Sequence, residues 1–97
     1  MSEGRLKALR DMLAEDPTDA FTRYALAMDL KGLGRNADAL KEFSAVLEAD
    51  PTYLATYYQF GALLNQEGDP ERAAAVIRKG IAAAEAAGDG HTKGELE

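Results

Sequence analysis

Apolar residues recur along this chain at helical spacing, in blocks separated by glycine, proline and acidic residues. In the first block Leu6, Leu9 and Leu13 fall at i, i+3 and i+7 with Met12 beside them, which predicts a helix over residues 3–15. Asp16-Pro17 ends it, because a residue before proline is pushed out of the α region. A second helix is expected over 19–33, capped by Thr18 or Asp19. Its stripe of Phe21, Tyr24, Leu26, Ala27, Leu30 and Leu33 is wider than one contact needs, so it should touch neighbours on two sides. Gly34 supplies the left-handed residue that stops it. The third helix, 36–48, has Asn36 as its expected cap. Its apolar face is Ala39, Leu40, Phe43, Val46 and Leu47, with Asp38, Lys41, Glu42 and Glu48 turned to water. Thr52 is the expected cap of a fourth helix over 53–67, carrying Tyr57, Phe60, Gly61 and Leu64 and ended by Gly68. Asp69-Pro70 opens a fifth, since Asp is an N-cap type and Pro fits the first helical turn. That helix runs to about Ala87 with Ala73, Ile77, Ile81 and Ala84 inward. After Gly88-Asp89-Gly90, residues 91–97 hold one apolar residue, Leu96, and read as a flexible tail or the start of a truncated helix. No stretch has strand period.

The blocks repeat. Asp16-Pro17-Thr18 returns 34 residues later as Asp50-Pro51-Thr52, and the same offset pairs Tyr24 with Tyr58, Leu30 with Leu64, Gly34 with Gly68 and Ala39 with Ala73. A fixed period of this size signals a solenoid. These residues resemble the tetratricopeptide repeat. Its pattern of a large residue, Leu-Gly, Tyr, then Ala and Phe, then Pro is approached by Arg23, Leu26-Ala27, Leu30, Ala39, Phe43 and Pro51. In the second repeat it is approached by Tyr57, Phe60-Gly61, Leu64, Ala73 and Ile77. The first helix matches the second half of a repeat, with Leu9 and Met12 at the offsets of Phe43 and Val46. Two places depart: Arg23 stands where an aromatic is usual, and the second repeat has no closing proline, which suggests an overlong fifth helix.

The resemblance implies an all-α, right-handed solenoid of antiparallel helix pairs, about five helices in one domain over 1–90. A half repeat at 3–17 is followed by repeats at 18–51 and 52–87. Ala27, Gly61, Ala39 and Ala73 are small where the helices of a pair cross, and Phe43 and Ile77 fill the gap between stacked repeats. Solenoids need polar caps on terminal repeats, and Ile81 lacks an obvious covering partner, so residues beyond 97 or a second copy should cover it.

Composition narrows the function classes. The chain has 97 residues, 17 acids and 11 bases, for a net charge of −6, with no basic block. A nucleic-acid partner is not expected, because a polyanion would be repelled. There is no cysteine, so there is no disulfide or thiolate site, and the chain fits a reducing, cytoplasmic compartment. No apolar run can span a bilayer and no secretory h-region is visible, so no membrane partner is expected.

The chemistry-bearing residues form no constellation. His91 is the sole histidine, in a polar tail. Asp16, Asp19, Asp50 and Asp69 sit at helix ends, where capping explains them. Gly32 and Gly34 follow no strand, and Ser2 and Ser44 have no base beside them in sequence. No catalytic, cofactor-binding or metal-binding residue is assigned, and no enzymatic activity is expected.

The informative surface is the first helix of each repeat. Phe21, Tyr24, Met28 and Lys31 share one helical face, and Ala55, Tyr58, Ala62 and Asn65 are their equivalents. In the family such positions line a concave groove that takes extended or helical peptides. Phe21 and Met28 fit a buried position equally well, whereas the hydroxyls of Tyr24 and Tyr58 favour water or a partner. One family subtype binds acidic chaperone tails through a clamp of Lys, Asn and Arg. The matching places here hold Tyr24, Met28, Tyr58 and Ala62, so that clamp is not present. The resemblance implies a protein-interaction module with Phe21, Tyr24, Met28, Lys31, Tyr58, Ala62 and Asn65 in the groove. The alternative is a structural homodimer paired through the groove or the exposed last helix.

Overall fold

A computed structural model describes residues 3–97 and shows six helices: α1 (Glu3–Glu15), α2 (Ala20–Gly32), α3 (Asn36–Ala49), α4 (Ala55–Gln66), α5 (Pro70–Ala87) and α6 (Gly90–Leu96). No strand occurs among the described residues. The chain divides into two compact units at the second Asp-Pro corner, one ending at Asp50 and the other beginning at Pro51.

In the first unit, α1 and α3 both pack on α2. That contact on two sides is what the wide apolar stripe requires. The core is Leu6 and Leu13 of α1, Leu26, Ala27 and Leu30 of α2, and Ala39, Phe43 and Val46 of α3, all buried. Met12, grouped with the α1 stripe from sequence, is 53% exposed. Arg5 of α1 places Nε 2.6 Å from the buried Asp29 Oδ2 of α2, an ion pair that is not aligned as a hydrogen bond. Arg35 pairs with Glu3.

In the second unit, α4 and α6 both pack on α5. Tyr57, Phe60, Leu63 and Leu64 of α4, Ala73, Val76 and Ala84 of α5, and Leu96 of α6 are buried. Gly61 lets the pair cross closely: a Cβ there would lie 2.6 Å from Ile77 Cδ1. Gly80 does the same against Tyr57 and Leu96, at 2.6 Å from the tyrosine Cβ.

Three of the helix ends are alike. Gly34, Gly68 and Gly88 take φ of 76°, 83° and 70°, which an L side chain rarely adopts. In each, the residue after the glycine donates its N–H five residues back, Arg35 to Leu30, Asp69 to Leu64 and Asp89 to Ala84. The starts are less uniform. Asp19, Asp69 and Asp89 cap α2, α5 and α6 through their carboxylates. Thr18 instead turns back, its hydroxyl donating to Asp16 Oδ1 at 2.9 Å. Asn36 is not a cap: α3 begins at that residue, and its cap position, Arg35, makes no side-chain hydrogen bond. Thr52 is not the cap of α4 either. Backbone bonds from Thr56 and Tyr57 to Tyr53 and Leu54 open that helix, so it starts two residues later than the pattern predicts.

Residues 91–96 lie within α6, the helical of the two alternatives for this stretch, and Leu96 is buried against the Gly80 hollow of α5. This also corrects the expectation that the end of α5 lies open: Gly80 and Ala84 are buried and Ile81 is half-buried.

Candidate functional site

The register of α2 is fixed at both ends, by the Asp19 cap and by the Gly34 stop. Thr22 donates its N–H to Asp19 Oδ1 and its hydroxyl to Asp19 Oδ2, at 3.2 and 2.8 Å. Those two donations hold the Asp19 carboxyl below its ordinary value, the hydroxyl contributing most. With Leu26, Ala27, Asp29 and Leu30 turned inward, Phe21 is left 68% exposed. It is a surface residue, so the buried alternative for it is excluded. Tyr24, Met28 and Lys31 are half-buried. The Tyr24 ring meets Phe43 at 6.0 Å and 59°, a tilted aromatic contact that anchors its body and leaves it partly open.

On α4 the buried face is Thr56, Tyr57, Phe60, Gly61, Leu63 and Leu64. Tyr58 is therefore half exposed, at 50%, and Ala62 and Asn65 are exposed. These three residues border one open cleft of about 390 Å³, together with Pro70, Ala74 and Ile77 of α5 and Glu95 and Leu96 of α6. Gly61, Ala73 and Ala74 are the small residues of its lining. Its rim carries the Tyr58 ring, the Asn65 amide and the Glu95 carboxylate. The second helix of the repeat and α6 were missed as wall elements from sequence. A signal existed: Asp89-x-x-Thr92 repeats Asp19-x-x-Thr22, with the same pair of bonds, Thr92 N–H and hydroxyl to Asp89 at 2.9 and 2.7 Å. On that alignment the lone apolar Leu96 takes the place of Leu26.

Other charged groups serve the scaffold. Asp89 is held below its ordinary value by the Thr92 N–H and then by its hydroxyl. Lys7 is raised by its exposed pair with Asp11. His91 Nε2 lies 3.4 Å from Glu95 Oε1, one turn along α6. No cluster of three or more His, Cys, Asp or Glu suited to a metal occurs among the described residues. Ser44 is half-buried on α3, and Ser2 lies outside the described residues.

No family model and no curated protein matches the chain. Solved structures do. A tetratricopeptide repeat domain protein from Salinibacter ruber is 36% identical, with a TM-score of 0.78 over 84% of this chain and 82% of that one. The chain belongs to the tetratricopeptide repeat family. This tetratricopeptide repeat chain is also similar to a protein from Bordetella parapertussis, at 30% identity and a TM-score of 0.78 over 94% and 79% of the two chains. A likeness to MamA, at 19% identity and a TM-score of 0.77, concerns the fold alone. The all-α helix-pair fold is thus a protein-interaction scaffold. No helix among the described residues is long and apolar enough to cross a membrane.

Proposed function

We propose that this tetratricopeptide repeat chain is a non-catalytic, cytoplasmic interaction module, which holds a peptide or helix of a partner protein against the first helix of its repeats. The observation that carries the reading is Tyr58, an aromatic side chain left half exposed in the lining of a cleft whose residues are mostly apolar. Aromatic side chains and methionine are enriched in binding surfaces, and they act as anchors when a partner desolvates them. On α2, Tyr24 and Met28 serve likewise, Phe21 adds apolar area and Lys31 shares their face; on α4, Ala62 and Asn65 line the cleft beside Tyr58. The test is a pull-down from the cells that make the protein, comparing the native chain with a Tyr24→Ala/Tyr58→Ala variant whose helicity is checked by circular dichroism. Partners should be lost from the variant. The same proteins recovered by both would defeat the reading.

A second reading, a structural homodimer, draws on Met12 and Phe21, two large apolar side chains more than half exposed in the first unit. Light scattering across a concentration range separates the two, since a monomer throughout removes self-association.

A further inference from the structure

Resting on the module reading above, we propose that the cleft of the second unit selects a partner segment in which an aliphatic side chain stands next to a lysine or arginine. Most of its lining residues are apolar and several are small: Gly61, Ala73 and Ala74, beside Ile77 and Leu96. At about 390 Å³ the cleft lies at the lower end of the range for ligand pockets, roughly 300–1,000 Å³. That suits one or two side chains rather than a whole helix. The charged residue bordering it is Glu95, whose side chain is 56% exposed. Its ionic neighbour is His91, on the same helix, with Nε2 at 3.4 Å. Tyr58 and Asn65 add polar atoms of no fixed charge. No lysine or arginine appears in the cleft lining among the described residues, and the chain as a whole carries a net charge of −6. An acidic segment is therefore disfavoured here and a basic one drawn in, while the aliphatic group supplies the buried area. Complementary charge at an exposed rim acts on selectivity more than on affinity.

The experiment titrates the ¹⁵N-labelled full chain with three N-acetylated, C-amidated peptides that pair a leucine with a lysine, a glutamine or a glutamate. The amide signals of Gly61, Ala62 and Ala74 report on the cleft. The lysine peptide should bind about threefold more tightly than the glutamine peptide, and the glutamate peptide most weakly, a step of the size expected for an exposed ion pair. Glu95→Lys should reverse the order, and Glu95→Gln should level it. Glu95 is exposed, so neither variant threatens the fold, and circular dichroism checks this. Binding with no charge preference, or a preference that survives Glu95→Lys, would overturn the proposal. No shift at the cleft with any peptide would overturn it too. In both cases a Tyr24/Tyr58-dependent pull-down would leave the module reading standing, which separates the two failures.

Discussion

Arg23 of the first repeat and Tyr57 of the second occupy equivalent places and donate to equivalent atoms. Arg23 Nη2 lies 3.0 Å from the Pro17 carbonyl oxygen, and the Tyr57 hydroxyl lies 2.6 Å from that of Pro51. Everything around them differs. Arg23 Nη1 also meets Glu42 Oε1 of α3 at 2.7 Å, whereas the place of Glu42 in the second repeat is the buried Val76. The place of the buried Val46 is Gly80, which lies against the Tyr57 side chain. One repeat joins its helices with an ion pair and buries a valine, the other seats an aromatic ring on a glycine. What recurs is a tied proline corner and a filled crossing. The residue types are free to change as long as volume and hydrogen bonding are met together.

The comparison is broken most severely at the position where both repeats place a large apolar residue. Phe43 is fully buried and also supports Tyr24, so Phe43→Ala should cost about 3–5 kcal/mol. Its equivalent Ile77 is half-buried beside the cleft, so Ile77→Ala should cost less. Urea denaturation of the two variants checks this, and an equal or larger loss at Ile77 would mean the second repeat depends on that position as the first does.

The glycine under Tyr57 comes next. Alanine at position 80 would gain roughly 1 kcal/mol of helix propensity. Its Cβ would also fall 2.6 Å from Tyr57 Cβ and 2.9 Å from Leu96 Cδ1, and overpacking of this kind costs about 1–3 kcal/mol. The net expectation is a lower urea midpoint for Gly80→Ala, with a changed near-ultraviolet tyrosine signal. A higher midpoint would show that the ring does not need the glycine. In the first repeat Val46→Ala errs in the opposite direction and leaves space unfilled.

Much of this was legible in the chain because it is local. Gly34, Gly68 and the Asp69-Pro70 start announce themselves through backbone requirements that few residues meet. The wide stripe of α2 announces its two neighbours. What stayed hidden depends on how helices approach. Nothing in the spacing marks Gly80 as a seat for Tyr57, since its neighbours come from two other helices. Asn36 and Thr52 are good cap types, but backbone bonds from residues nearby open those helices instead. α6 is short, and one apolar residue is too few to show a period. Its burial of Leu96 is decided by the Gly80 hollow. The face of α2 could be read from spacing. The exposure of Phe21 could not, because it depends on which face α1 and α3 take.

The smallest effects, and the most discriminating, lie at the paired threonines. Thr22 and Thr56 are equivalent and both buried. Thr22 bonds to the Asp19 cap, but the place of that aspartate in the second repeat is Tyr53, and Thr56 Oγ1 meets no hydrogen-bond partner among the described residues. Removing a satisfied hydroxyl and removing an orphaned one should have opposite signs. Thr22→Val is expected to destabilise by about 1 kcal/mol and Thr56→Val to stabilise by about as much. The pair also separates by pH. Because Asp19 is held below its ordinary value in the folded chain, its contribution is present above the unfolded carboxyl value, near 3.8, and is lost as pH falls through the lower folded value. The urea midpoint of the native chain should therefore drop as pH falls below that unfolded value. Thr22→Val removes the largest cause of that depression and should make the drop shallower, whereas Thr56→Val should leave its slope unchanged. A slope altered by Thr56→Val and untouched by Thr22→Val would mean that the cap is not what distinguishes the two repeats.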